Sequence, residues 1–266
     1  MSLGATLGDY DRANGGMRMT DLGRILFAVT FAILGALFLG FHDFALTWIP
    51  KIIPWRDAPA TVIGVLLLAG GIGLLIPRAA APSALVLAAL LLVRFLFQMR
   101  FVVAEPLVEV HYEVVGETLA EIAGAWTMFA MLARDGAARF GGVRTGQILF
   151  GLALLPFGLS HFFYLNLTAP LIPSWIPFHV ALAYFTGAGH FAAGVAILVN
   201  ALPRLAATLE AVMVSLFTLL VWVPAMFAAP MSRANWGEIV ASAAISGAAW
   251  AVAASLGDKP WGLRRQ

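Results

Sequence analysis

The chain has 266 residues, of which 61% are hydrophobic and only 11% are charged, with a formal net charge of +2. Soluble globular proteins are roughly 45–50% apolar and about 25% charged, so this composition excludes a soluble fold and a disordered chain and predicts an integral membrane protein. The small net charge suggests no nucleic-acid partner, and the absence of cysteine excludes thiolate catalysis, iron–sulfur clusters and cysteine-ligated zinc.

Apolar segments recur along the chain, each near the roughly 20 residues that a helix needs to cross about 30 Å of hydrocarbon. Residues 1–21 carry charges and no apolar run, so we expect a cytoplasmic N-terminal segment and no cleavable signal peptide. The runs lack the alternation of barrel strands, which predicts an all-α integral membrane protein. The eight predicted transmembrane helices are Leu22–Phe41, Ala58–Ile76, Pro82–Ala104, Pro106–Ala133, Gly146–Leu165, Phe178–Val199, Leu205–Ala229 and Trp236–Leu256.

Basic residues predict the orientation of these spans. If the N-terminus is inside, eleven of the sixteen Lys and Arg residues fall on the inner side and five on the outer side or in the membrane. Cytoplasmic loops are enriched in Lys and Arg, so both termini are expected in the cytoplasm, as an even number of spans requires. The Trp- and Pro-rich loops 42–57 and 166–177 are then outside.

The chain also resembles itself at a spacing of about 123 residues. Gly23–Leu26 (GRIL) matches Gly146–Leu149 (GQIL), and Trp48–Pro50 matches Trp175–Pro177, both reading WIP. Units of four spans each have the same orientation, so two tandem parallel four-helix bundles are predicted. The predicted organisation is a first unit at 22–134, a cytoplasmic linker at 135–144, a second unit at 145–256 and a cytoplasmic tail at 257–266.

Three segments of the second unit, Gly158–Phe162, Leu171–Pro177 and Thr186–Gly194, resemble the DoxX-like membrane proteins. The resemblance covers roughly 145–255 and extends more loosely over 22–134, which would make this chain a tandem member. It implies a four-helix unit, a multi-pass location in the bacterial inner membrane, and an association with quinone-linked redox complexes. No catalytic residue is carried over from the family.

The fourth predicted span carries a ladder of acids. Steps of four residues place side chains on one slowly rotating stripe of a helix, about 6 Å apart along its axis. If the third and fourth spans form a tight hairpin turning near Glu105, Arg94 lies opposite Glu117, Gln98 opposite Glu113, and Arg100 opposite His111. The ladder consists of Glu105, Glu109, Glu113, Glu117 and Glu121.

Two interpretations of this polar seam stay open. Arg94 and Glu117 could neutralise each other and only fix the helix register, since buried pairs can specify packing without activity. Intramembrane ionisable groups otherwise indicate a proton or cation path, or the polar wall of a ligand pocket. In the functional interpretation the catalytic candidates are Arg94, Glu117, Glu121 and the deeply placed His190.

The remaining candidates are cofactor-binding residues near the outer ends of the predicted helices: His42, His161, His111, Glu113 and Trp175. No HExxH spacing occurs and His179 lies too far from His190 to share an ion, so no metal site is predicted. Haem ligation by these histidines stays open. Glu210 is expected about six residues from the cytoplasmic end of its span, either snorkelling to the interface or paired with Arg204.

The leading hypothesis is a redox-associated inner-membrane protein that binds a quinone-like or small hydrophobic ligand through the seam, which opens to the periplasmic side. Its expected partners are the lipid bilayer, a redox subunit and further copies of the chain. The first alternative is a non-enzymatic carrier of protons, ions or small molecules, and the second is a scaffold subunit of a membrane complex. The sequence leaves open whether the protein is an enzyme.

Overall fold

The computed structural model describes residues 19–41, 48–49, 53–133 and 140–262. Within these residues all regular structure is helical. A four-residue helix, Leu165–Thr168, and a 3₁₀ turn, Ala169–Leu171, lie between two of the long helices. The long helices are α1 (Met19–Gly40), α2 (Asp57–Leu75), α3 (Ala80–Ala104), α4 (Glu109–Ala133), α5 (Gly142–Phe163), α6 (His179–Leu198), α7 (Pro203–Ala228) and α8 (Arg233–Ser255).

Seven of the long helices in the described residues are long and apolar enough to cross a membrane. The chain is therefore a helical multi-pass membrane protein. The remaining long helix, α4, contains Glu109, Glu113, Glu117 and Glu121, and it is not among these seven. It begins at Glu109 and not at Pro106 as predicted, because the residues from Glu105 to Val108 form a link after α3.

Helix α7 is irregular near Pro224, one of the prolines that cannot donate a helical hydrogen bond. It begins at Pro203, where a missing N–H costs no helical hydrogen bond, and a π-helical segment, Thr218–Trp222, precedes Pro224. A proline ring inside an α-helix clashes with the carbonyl one turn earlier, and a wider π turn relieves that clash. The Thr218 hydroxyl lies 2.7 Å from the Ser242 hydroxyl and 3.1 Å from that of Ser246, which ties the irregular segment to α8.

The helices form a closed ring. Each long helix packs against the next one in the chain, and α8 packs against α1. A further contact between α8 and α4 crosses the ring and divides it into two smaller rings. The first contains α1, α2, α3, α4 and α8, and the second contains α5, α6, α7, α8 and α4.

Close helix contacts recur at a fixed spacing along the chain. A Cβ on Gly35 of α1 would lie 2.7 Å from the Gly64 carbonyl oxygen of α2. A Cβ on Gly158 of α5 would lie 2.8 Å from the Gly187 carbonyl oxygen of α6. Gly158 follows Gly35 by 123 residues, and Gly187 follows Gly64 by the same number. Glycine is required at such crossings because any side chain would separate the two backbones.

The same recurrence joins helices from different halves of the chain. A Cβ on Gly23 of α1 would lie 3.0 Å from the Gly247 carbonyl oxygen of α8, and a Cβ on Gly146 of α5 would lie 3.0 Å from the Ala123 carbonyl oxygen of α4. Gly146 follows Gly23 by 123 residues and Gly247 follows Ala123 by 124. The first helix of each half therefore packs against the fourth helix of the other half.

Candidate functional site

A buried ion pair joins α3 to α4. Arg94 Nη1 lies 3.1 Å from Glu121 Oε2, and the two side chains are 16% and 3% exposed. The sequence predicts Glu117 as the residue opposite Arg94, so the observed partner is one helical turn further along α4. The prediction assumed that α3 and α4 turn tightly at Glu105. In the structure a four-residue link separates the two helices and α4 begins at Glu109, so the residues of α4 that lie opposite α3 are further along the chain.

Arg94 and Glu121 lie at the wall of a cavity of about 370 Å³ in the first ring. Leu34 of α1 and several small residues of α8 complete its walls, where Gly237 and its neighbours leave space next to α4. Binding pockets for small molecules are typically about 300–1,000 Å³. We call this space the central cavity; its charged lining residues are Arg94, Glu117, Glu121, Arg233 and Glu238.

Aromatic rings support both guanidinium groups of the cavity. The Arg94 guanidinium lies over the Trp48 ring, 4.5 Å from its centroid, and that of Arg233 lies 5.1 Å from the centroid of Phe41. In such contacts the guanidinium group is attracted to the face of the aromatic ring. Its N–H groups point outward in the guanidinium plane, so they can still donate hydrogen bonds to other groups. Arg94 thus has a fixed orientation toward the carboxylates of the cavity.

Among the described residues the cavity lining contains more acids than bases. Three carboxyl groups and two guanidinium groups of these residues line it, and Glu117 interacts electrostatically with Arg94, Glu121 and Glu238. Uncompensated charge is costly at low dielectric, so one of the three carboxyl groups is suited to hold a proton. The cavity therefore combines guanidinium donors with a carboxyl group that can donate or accept a proton.

The outer part of the predicted seam is arranged differently from the prediction. The Arg100 guanidinium lies over the ring of the adjacent Phe101, with 4.6 Å to the centroid, and it is the Phe101 ring that lies 5.8 Å from the His111 ring. His111 instead lies 3.5 Å from a carboxylate oxygen of Glu105. Among the described residues the Gln98 side-chain oxygen is buried without a hydrogen-bond partner, and the Glu113 carboxyl group interacts with Ser160 of α5.

His190 belongs to a second polar group, in the second ring. Its Nδ1 lies 2.8 Å from Glu210 Oε1, and both side chains are almost fully buried. The ring of His161 lies 5.3 Å from that of His190, centroid to centroid. We call His161, His190 and Glu210 the histidine cluster. The predicted pairing of Glu210 with Arg204 is wrong, because Arg204 donates to the carbonyl oxygens of Gly257 and Lys259.

Glu113 lies between the central cavity and the histidine cluster. Its carboxyl group interacts with the Ser160 side chain and electrostatically with His190 and Glu238. Successive steps of four residues rotate the ladder by about 40° each, so Glu113 and Glu121 differ by about 80° around α4. This rotation lets one helix present Glu121 to the first ring and Glu113 to the second.

Trp175, a predicted cofactor-binding residue, and His179, which was not predicted as one, lie outside both groups. Trp175 is 72% exposed and does not line the central cavity. His179 lies at the start of α6, beside an open surface groove. His42 lies outside the described residues.

Sequence reasoning missed Trp48, Arg233 and Glu238 as cavity residues and Glu210 as the partner of His190. Glu238 carried a usable signal, since an acid inside an apolar span generally marks a functional position. Glu210 could have been predicted as the partner of His190, because the two residues are equally far from the turn between α6 and α7 and such residues lie opposite each other in a helical hairpin. Nothing local indicated that α8 forms a wall of the first ring.

Comparison with protein-family models, curated proteins and solved structures finds no match. Within the described part of the chain there is also no group of three or more His, Asp and Glu side chains arranged to hold a metal ion. The chemistry of the site therefore has to be argued from its own geometry.

Proposed function

We propose that this protein binds a quinone-like or other small amphipathic ligand in the central cavity. The observation that carries the proposal is a cavity of about 370 Å³ lined by the Arg94–Glu121 pair, Glu117 and the Trp48 ring. A quinone head group has two carbonyl oxygens that accept hydrogen bonds and a flat ring that packs against an aromatic side chain. Arg94 supplies donors for one carbonyl, and a protonated Glu117 supplies a donor for the other.

The proposal includes the membrane arrangement. We infer that α4 also spans the bilayer, which gives eight spans in two tandem four-helix units with both termini in the cytoplasm of a bacterium. The recurring glycine contacts at 123–124 residues support the repeat, and Arg94 reduces the cost of placing Glu121 in the membrane, about 2.5–3.5 kcal/mol for an unpaired acid. The resemblance to DoxX-like proteins supports a redox role together with a partner subunit.

Ligand binding can be tested with purified full-length protein and a short-chain quinone. Quinones quench tryptophan emission and Trp48 lines the cavity, so we expect the quenching to saturate as quinone is added. The part of the quenching that comes from Trp48 should be absent in Trp48→Phe. Glu117→Leu removes the donor and should weaken binding roughly two- to tenfold, since a neutral hydrogen bond contributes about 0.5–1.5 kcal/mol. Mass spectrometry of the lipid extract would show whether a quinone copurifies.

The matched control is Glu105→Leu, which makes the same chemical change on a side chain that is 63% exposed and outside the cavity. It should leave quinone affinity unchanged. The proposal is rejected if the wild-type protein neither carries a quinone nor shows saturable quenching, or if Glu105→Leu and Glu117→Leu weaken binding equally.

A second candidate function is a proton carrier, and the position of Glu113 favours it. Glu113 interacts electrostatically with Glu238 of the central cavity and with His190 of the histidine cluster, so it is a titratable group that is coupled to both rings. A pH-sensitive dye inside proteoliposomes would detect proton entry without any redox partner. Flux that is lost in Glu113→Gln and persists without quinone would favour the carrier over the quinone-binding protein.

A further inference from the structure

The histidine cluster has a hydrogen-bond pattern that fixes the proton on each ring. His161 Nδ1 lies 2.8 Å from the Phe157 carbonyl oxygen, and His190 Nδ1 lies 2.8 Å from Glu210 Oε1. A carbonyl oxygen only accepts, and an ionised carboxylate only accepts, so each Nδ1 carries the hydrogen and donates it. Each neutral ring then has its lone pair on Nε2.

This pattern is the one that metal-ligating histidines adopt. Such histidines almost always donate their second ring N–H to a carboxylate or a backbone carbonyl, which orients the ring and makes the ligating nitrogen more basic. Here one ring has the carboxylate and the other has the carbonyl. The centroids are 5.3 Å apart, and two imidazoles bound to one ion at about 2.0–2.1 Å have centroids within about 6.5 Å of each other.

The two rings and their surroundings favour an ion that needs few ligands. The Phe157 and Phe217 rings lie 5.8 and 5.9 Å from the His190 ring, so little water can complete a coordination shell there. Glu210 and Glu113 both interact with His190, so the negative charge near the rings does not by itself select a monovalent or a divalent cation. The number of ligands does, because two imidazole nitrogens leave a zinc ion, which takes four ligands, incomplete.

We propose that His161 and His190 bind copper(I) through their Nε2 atoms, with Glu210 as the positioning residue that orients His190. Copper binds imidazole nitrogen strongly, and copper(I) accepts two or three ligands, so it does not need the larger ligand group that the described residues lack. His161 lies near the end of α5 and is only partly buried, which gives the ion a way in.

The test is a copper(I) titration of the full-length protein in detergent, in competition with a colorimetric chelator and without oxygen. One copper(I) per chain is expected, and His161→Gln and His190→Gln should each abolish that binding. Glu210→Gln should weaken it roughly 10–100-fold, as loss of such an orienting carboxylate typically does. The copper X-ray absorption spectrum of the wild-type protein should show imidazole scattering, which a purely structural role of the histidines would not produce.

The matched control is His179→Gln, which removes a histidine at the start of α6 and should bind copper(I) as the wild type does. Far-UV circular dichroism identifies any variant that has lost its helices, and Glu210→Gln keeps a side chain that can still bond to His190. Equal binding by the wild type and by His190→Gln, or no stoichiometric binding by the wild type, would overturn the proposal. Quinone quenching at Trp48 is measured separately, so failure of one proposal leaves the other standing.

Discussion

Replacing Arg94 by methionine tests whether the ion pair stabilises the bundle. The substitution leaves the Glu121 carboxylate, 3% exposed, without the guanidinium that lies 3.1 Å away. Coulomb's law with an effective dielectric constant of about 20 gives about 5 kcal/mol for unit charges at that separation. Removal of one partner from buried pairs costs about 3–5 kcal/mol, and we expect Arg94→Met to lower the free energy of unfolding by that amount.

The reciprocal change should cost less. In Glu121→Gln the guanidinium keeps Glu117 as an electrostatic partner and Trp48 as a cation–π partner, so a loss of about 1–2 kcal/mol is expected. In the double variant Arg94→Met/Glu121→Gln the loss in free energy of unfolding should be about 2 kcal/mol smaller than the sum of the losses in the two single variants.

The assay is reversible unfolding by increasing mole fractions of dodecyl sulfate in mixed micelles, followed by far-UV circular dichroism. Arg100→Met is the control, since Arg100 is exposed and its guanidinium lies over the neighbouring Phe101 ring. It should change the free energy of unfolding by less than about 1 kcal/mol. If Arg94→Met is no more destabilising than Arg100→Met, or if the two cavity substitutions are additive, the pair does not stabilise the protein.

Three further substitutions, the first with a matched control, test the packing. Gly71→Ala places a Cβ against the Ala32 backbone nitrogen of α1 and should cost about 1–3 kcal/mol in the same unfolding assay, whereas the control Gly40→Ala, with open space around it, should change stability by less than about 1 kcal/mol. Thr218→Val leaves the Ser242 hydroxyl without its 2.7 Å partner and should cost about 1 kcal/mol, read from the thermal midpoint; an unchanged midpoint would contradict the role given to this contact. Arg144→Gln removes two hydrogen bonds to the last carbonyl groups of α6, so amide exchange should accelerate there and remain unchanged in α2.

Much of the fold was predictable because the bilayer requires long apolar helices with internally bonded backbones. The predicted spans overlap the helices of the structure, with ends that differ by a few residues, as at Glu109. Such differences are physical, since a short link such as the one after α3 leaves no hydropathy signal. The eighth span and the two tandem units remain predictions.

The polar groups were predictable only where neighbouring helices in the chain meet. Pairing residues that are equally far from the turn between α3 and α4 placed Arg94 opposite the glutamate ladder. The prediction was wrong by one helical turn, because it gave Glu117 as the direct partner of Arg94 and the structure shows Glu121. The same rule would have paired His190 with Glu210, because the position midway between them in the sequence lies in the turn between α6 and α7. Glu238 could not be found in this way, because hydropathy does not specify which distant helices pack together.

The position of α8 has a consequence for biosynthesis. One wall of the central cavity consists of residues 233–241, which follow every other part of that cavity in the chain. While a ribosome is still making the protein, α1 to α3 can enter the bilayer, but Arg94 and the glutamates face an unfinished wall. The two halves expressed as separate polypeptides should therefore have to associate before either ring is complete.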